Sequence, residues 1–224
     1  MCSWGGRGGP PSLSHEALRL SHSSEPHQGA PLPGREGRGR GSDRARTGDG
    51  KSARGEQKHA EHLKRNSFGK VPVLELDDGT HLIESLASIE YLEELHPDPP
   101  LIGSSALERA RVRELERIAE LGVLRVVAQL MHTTDSPLGL PPMPEVADYF
   151  RAALPAALRV LDQRLADGRA FLAGERLSIA DCTLAAAFQF ARFRKVEIAP
   201  ARANLARWDR AYRERPSAQS VLVL

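Results

Sequence analysis

Asn66-Ser67-Phe68-Gly69-Lys70-Val71-Pro72-Val73-Leu74 is the stretch whose reading decides the fold of this chain. Residues 71–76 form a short β-type run of branched and apolar side chains. Pro72 has no N–H to give to a ladder, so it marks a sheet edge or a special backbone site. Asp78-Gly79 then predicts a two-residue hairpin turn, and residues 80–83 return as the partner strand. Glu84-Ser85 follows. Ser85 is a good N-cap for a helix over about residues 86–95, with Leu86, Ile89, Leu92 and Leu95 as its apolar stripe. Asp98-Pro99-Pro100 closes this unit and reads as a linker.

Toward the C-terminus the pattern is helical throughout. Ser105 and Glu108 have the spacing of a capping box. Leu107, Leu115, Ile118, Val126 and Leu130 line one face of the long helix after it. Residues 136–144 are a proline-rich loop. Val146, Phe150, Leu154, Leu158, Leu161 and Leu165 make a second stripe, with Pro155 set to kink it. A third helix starts at Ser178, and Leu205, Trp208 and Tyr212 mark a fourth. There are no internal repeats.

Toward the N-terminus the character changes. Twelve of the 19 glycines lie in residues 1–55, mixed with Arg, Ser, Pro and His. Such a segment cannot bury enough apolar surface to offset chain entropy, so residues 1–54 read as disordered. The run Arg35-Glu36-Gly37-Arg38-Gly39-Arg40-Gly41 has the composition of an RNA-binding Gly/Arg segment. The same bias arises when a GC-rich gene is read from a wrong start or in a shifted frame, and that reading carries more weight. Nucleic acid is therefore not an expected partner. The formal net charge of +2 divides unevenly: residues 1–65 hold 12 Lys/Arg against 7 Asp/Glu, and the remainder holds 19 against 22. The body is a mildly acidic domain. No apolar run approaches the roughly 18–20 residues of a membrane span, and the N-terminus lacks the apolar stretch of a signal peptide. Cys2 and Cys182 are far apart in sequence. Two such cysteines form neither a disulfide framework nor a zinc site, which points to the cytoplasm and to no bound metal.

The quoted stretch resembles the segment ahead of the third strand in the thioredoxin-like domain of cytosolic glutathione S-transferases. In that family the second residue is usually proline, so Ser67 is a departure. Glu84-Ser85, twelve residues after Pro72, is similar to the family's acidic-residue/Ser pair. Ser178-Ile179-Ala180-Asp181 resembles its C-terminal capping motif, and residues 205–216, with Trp208 and Arg215-Pro216, its last helix. The resemblance runs from about Gly55 to the C-terminus. It implies a thioredoxin-like α/β N-terminal domain, incomplete here, followed by an all-α helical bundle. The divisions are 1–54 (Gly/Arg/Ser/Pro-rich segment), 55–97 (partial glutathione-binding domain) and 104–224 (helical domain).

The resemblance also implies glutathione as co-substrate. This tripeptide has a zwitterionic γ-glutamyl end, a central thiol and a glycyl carboxylate. A cis bond at Pro72, which the family has, would turn the Val71 amide and carbonyl outward to pair with the cysteinyl backbone. The helix start at Ser85 offers free N–H groups and positive dipole to the γ-glutamyl carboxylate. Glu84 pairs with its ammonium. Lys58, His59 and Lys70 are candidates by position for the glycyl carboxylate, and equally for a solvated charge run. Ser178 and Asp181 are a structural capping box. Cys182 lies in the apolar run through Phe188 and reads as core.

In the family a Tyr, Ser or Cys after the first strand hydrogen-bonds the glutathione sulfur and favours thiolate, the nucleophile. Residues 1–54 show neither an apolar strand nor a helical stripe to carry it. Ser12, Ser14 and Cys2 lack supporting context, so no catalytic residue is assigned. The implied function is conjugation of glutathione to a small electrophile by a homodimeric enzyme. Ser85-Leu86-Ala87-Ser88-Ile89-Glu90-Tyr91-Leu92-Glu93-Glu94 is similar to the zeta class, which includes a maleylacetoacetate isomerase, so a glutathione-dependent isomerase is a second reading. A non-catalytic, transferase-like binding module is the third.

Overall fold

A hairpin and one helix lean on a bundle of helices. The computed structural model describes residues 56–196, 198 and 202–219. The expectations for residues 1–54 lie outside the described residues. A 3-10 turn at Glu56–Lys58 leads into α1 (Ala60–Arg65), a helix that shows no apolar stripe in the sequence and buries none of its residues. Strand β1 (Leu74–Glu75) pairs antiparallel with β2 (His81–Leu82), Leu74 opposite Leu82 and Glu75 opposite His81. Both strands are shorter than the β-type runs that contain them.

The turn between them also differs from expectation. Leu76 N–H donates to the Thr80 carbonyl at 2.9 Å, which encloses three residues rather than two. Gly79 takes the left-handed position at φ 82°, as three-residue hairpin loops require. Asp78 Oδ1 accepts from the Thr80 amide and hydroxyl at 2.9 and 2.6 Å, which favours the wider loop.

Helix α2 (Ser85–Leu95) follows directly. Ile89 and Leu92 are buried, but Leu95, in the last position, is 48% exposed because the helix face has by then left the core. Next come α3 (Ala106–Ala119), a π-helical turn at Glu120–Leu124 and α4 (Arg125–Thr134), which together form one rod. The Ser105/Glu108 capping box starts this rod as predicted. Leu107 lies in its first turn, ahead of Val112, the first buried position, and stays 66% exposed. Helix α5 (Pro144–Arg164) runs through Pro155 as a single element. Its buried face begins at Ala147 rather than Val146, one residue around the helix. Helices α6 (Ile179–Phe193), α7 (Ala203–Arg213) and α8 (Pro216–Gln219) complete the bundle.

Two cores result. The larger joins the α3–α4 rod, α5, α6 and α7, with Leu158, Leu161, Leu165 and Leu184 at 0–1% exposure. Each such side chain contributes about 1.5–3 kcal/mol by leaving water. Trp208 packs edge-on to Phe188, centroids 5.9 Å apart, and beside Tyr212 at 5.4 Å. The smaller core joins Leu74 of β1, Ile89 and Leu92 of α2, Leu101 and Ile102 of the linker, Val112 of α3 and Ile179 of α6. It docks the hairpin and α2 onto the bundle.

Candidate functional site

The quoted stretch is shaped by Asn66, which is 2% exposed. Its Oδ1 accepts from the Phe68 amide at 3.0 Å, and its Nδ2 donates to the Lys70 carbonyl at 2.8 Å. His62 Nε2 lies 2.9 Å from the same Lys70 carbonyl, which ties the loop to α1. Gly69 sits at φ 60°, and a Cβ there would lie 2.9 Å from the Gln57 carbonyl oxygen. A side chain is therefore opposed both by backbone conformation and by backbone contact. These interactions deliver the chain to Val71 and Pro72. The Val71–Pro72 bond is cis. Val71 is exposed at 37%. Among the described residues no hydrogen-bond partner takes its amide or carbonyl.

The hairpin leads from this point to the start of α2. Extending the Leu74–Leu82 register back by three residues sets Val71 level with Ser85 and Pro72 level with Glu84. Glu84, not Ser85, occupies the N-cap, with φ −109° and ψ 132° and no side-chain cap. Ser85 is the first helical residue, so its hydroxyl is not spent on capping. The first helical bond runs from the Ser88 amide to the Glu84 carbonyl at 2.9 Å. The amides of Ser85, Leu86 and Ala87 consequently have no partner among the described residues, as at any helix start. Glu84 is exposed and Ser85 half-buried.

The weaker candidates are placed differently. Lys58 and His59 are exposed. Lys58 Nζ reaches the Phe68 carbonyl at 3.4 Å, and His59 precedes α1 with its side chain making no cap. Lys70 is exposed and is held through its carbonyl.

Ser178 and Asp181 form the predicted capping box at the start of α6. Asp181 Oδ2 accepts from the Ser178 amide at 3.0 Å and its hydroxyl at 2.7 Å. Asp181 Oδ1 accepts from the Leu172 amide at 2.8 Å and Trp208 Nε1 at 2.9 Å. Cys182 is buried, and burial pushes its thiol up to about 12, so it stays protonated.

Three polar residues escaped the sequence reading. Asn66 is one; an Asn in a loop ahead of Gly69 was the available signal for an Asx turn. Glu93 is another, 4% exposed, accepting from the Leu101 and Ile102 amides at 2.8 and 3.1 Å. Glu116 is the third, 2% exposed, with Thr183 Oγ1 donating to its Oε1 at 3.2 Å. Neither acid gave a signal, since both lie in charged helical stretches. Among the described residues no group of three His, Cys, Asp or Glu side chains is placed to hold a metal. Nor is any helix among them long and apolar enough to cross a membrane.

The described fold is thus a thioredoxin-like hairpin–helix unit joined to an all-α domain, with a cis-proline and a helix start at one corner. Residues 52–100 match the family model described as the glutathione S-transferase N-terminal domain, and residues 106–211 match that of its C-terminal domain. The chain is 34% identical over 178 residues to glutathione S-transferase 2 of Saccharomyces cerevisiae, covering 75% of this chain and 74% of that one. It is 30% identical over 138 residues to maleylacetoacetate isomerase of Pseudomonas aeruginosa, covering 58% and 60%. The crystal structure of Gtt2 from Saccharomyces cerevisiae superposes with a TM-score of 0.70 at 32% identity, covering 76% of this chain and 84% of that one. The chain belongs to the glutathione S-transferase family.

Proposed function

We propose that this chain is a glutathione S-transferase that binds glutathione at the corner formed by Val71, Pro72, Glu84 and Ser85. One observation carries the reading: the Val71–Pro72 bond is cis, and the Leu74–Leu82 register, continued three positions past the strands, would set it level with the start of α2. Val71 offers the cysteinyl backbone an amide and a carbonyl that no described residue takes. Ser85 and the free amides of the first turn take the γ-glutamyl carboxylate, where the helix dipole favours negative charge. Glu84 takes the ammonium. Lys58 and His59 are the weaker candidates, by position in the chain, for the glycyl carboxylate. In the reaction the glutathione thiol gives its proton to solvent, and the sulfur bonds to an electrophilic carbon of a small substrate. The leaving group departs with its electron pair. No described side chain is assigned to the sulfur.

Glutathione-dependent isomerisation is a second reading, supported by the similarity to the Pseudomonas isomerase. Turnover of a chlorodinitrobenzene-type electrophile, set against a maleyl-type cis-alkene acid, separates the two. A cytoplasmic homodimer completes the proposal, supported by family membership. Light scattering that reads a monomer at micromolar concentration would count against the dimer.

Calorimetric titration with glutathione tests the site. Glu84→Gln removes one charge-assisted partner, a contribution of about 1.5–3 kcal/mol. The expected weakening is roughly 10- to 150-fold in Kd, toward the low end because Glu84 is exposed. Equal affinities would remove Glu84 from the site. No binding by a folded wild type would favour the non-catalytic module.

A further inference from the structure

Helix α2 carries Glu84 and Ser85 at one end and Glu93 near the other. Its apolar grip on the bundle, through Ile89 and Leu92, is non-directional and fixes neither roll nor slide along the helix axis. Glu93 supplies direction. One of its oxygens accepts from two consecutive linker amides, Leu101 at 2.8 Å and Ile102 at 3.1 Å. The carboxylate is 4% exposed, and Leu101 and Ile102 are each 4% exposed. A carboxylate in such surroundings is tolerated only where donors converge on it.

The linker is itself held. The Leu101 carbonyl accepts from the Ile179 amide at 3.1 Å, in the first turn of α6. Ile179 follows Ser178 of the capping box, whose Asp181 is bound in turn by Trp208 of α7. A second, outer link joins α2 to α3, with Arg113 Nε donating to Glu90 Oε1 at 2.7 Å. That pair is half-exposed and correspondingly weak. The buried route thus runs α2, Glu93, linker, α6, α7.

We propose that Glu93 is a positioning residue: through the Leu101 and Ile102 amides it sets where the N-terminus of α2 stands, and so orients Glu84 and Ser85 toward glutathione. The proposal rests on the glutathione reading of that corner. A purely structural role would lower stability and leave affinity unchanged, so the two are separable.

The test compares wild type, Glu93→Ala, Glu93→Gln and Val112→Ala in the full chain. Two measurements are made: glutathione Kd by calorimetry and hydrogen exchange at the Ser88 amide, whose bond to Glu84 closes the first turn. Glu93→Ala is expected to weaken glutathione by about 10-fold, within the usual range for coupled sites, and to raise Ser88 exchange. Glu93→Gln keeps an oxygen acceptor for both amides and is expected to restore Kd to within about 3-fold of wild type. Val112→Ala loosens the same core without touching the clasp, and is expected to lower the melting temperature with Kd held. A Glu93→Ala protein with wild-type Kd and wild-type Ser88 exchange overturns the proposal. So does a Val112→Ala protein that loses affinity as much as Glu93→Ala. If wild type binds no glutathione, the reading of the corner fails, and Ser88 exchange decides whether Glu93 positions α2.

Discussion

Glu116 is a carboxylate in an apolar seam between α3 and α6, and its environment raises it from 4.5 to about 7. Burial is the main cause and the neighbouring Glu120 adds to it; Arg117 and the Thr183 hydroxyl oppose it, and Glu90 of α2 reinforces it. Among the described residues its Oε2 has no hydrogen-bond partner, with Arg117 Nη1 3.9 Å away. The folded state therefore binds a proton more readily than the unfolded chain between about 4.5 and about 7. Stability must fall as pH rises through that window and stay low above it. The full effect is on the order of 3 kcal/mol. Glu116→Gln keeps an oxygen for Thr183 and has nothing to ionise, so it is expected to flatten the slope and be the more stable protein at pH 8. Urea unfolding of both proteins from pH 4.5 to pH 8 is the check, and parallel profiles would refute the assignment. Pro72 as a special backbone site and a helix start next to Glu84-Ser85 were legible, from residue type and from the family resemblance, although the N-cap falls on Glu84 rather than Ser85. Glu93 and Glu116 were not. A glutamate in a charged helix has one appearance whether it faces water or core, and only the packing of a distant element decides.

At the scale of elements, α6 depends on how it begins. Ser178 and Asp181 were legible as a capping box because the device is local, four residues long. What the sequence hid is that Asp181 also takes the Leu172 amide and Trp208 Nε1, from outside the helix. Asp181→Ala leaves those two donors and the Ser178 amide unpaired and buried, so it should cost on the order of 4 kcal/mol. Ser178→Ala removes a cap and should cost about 1 kcal/mol. Both act on one network, so the double mutant should cost less than the sum. Chemical denaturation of the four proteins measures this. Equal losses at the two positions would show that Asp181 caps the helix and does no more, and strict additivity would count against a shared capping box. Helix periodicity was read correctly in the middles of elements and missed at their ends, as with Leu95, Leu107 and Val146. A stripe reports a face, but where the neighbouring element stops is a tertiary fact. The hairpin loop was misjudged for a related reason: Asp78-Gly79 fits two turn lengths, and the Asp78–Thr80 bonds choose between them.

For the whole molecule, the two cores pose the question of whether the hairpin–α2 unit folds by itself. The two-stranded sheet described here is marginal without something to pack against. Four of the seven buried residues in the smaller core lie outside the hairpin and α2: Leu101, Ile102, Val112 and Ile179. The unit is therefore stabilised by the helical domain, and the two should unfold together. Leu74 tests this, since it lies in β1 at 3% exposure. Leu74→Ala should cost about 2–5 kcal/mol, the usual range for a buried leucine. If the molecule is one cooperative unit, that loss appears in a probe in the larger core. Trp208, at 2% exposure in α7, is such a probe, read by fluorescence with Trp4 replaced by Phe. The expected outcome is a lower unfolding midpoint at Trp208 with an unchanged denaturant slope. A midpoint at Trp208 that ignores Leu74→Ala would mean that the hairpin–α2 unit opens on its own. In that case binding of glutathione would stabilise only the hairpin and α2, and the Trp208 midpoint would not move with ligand concentration.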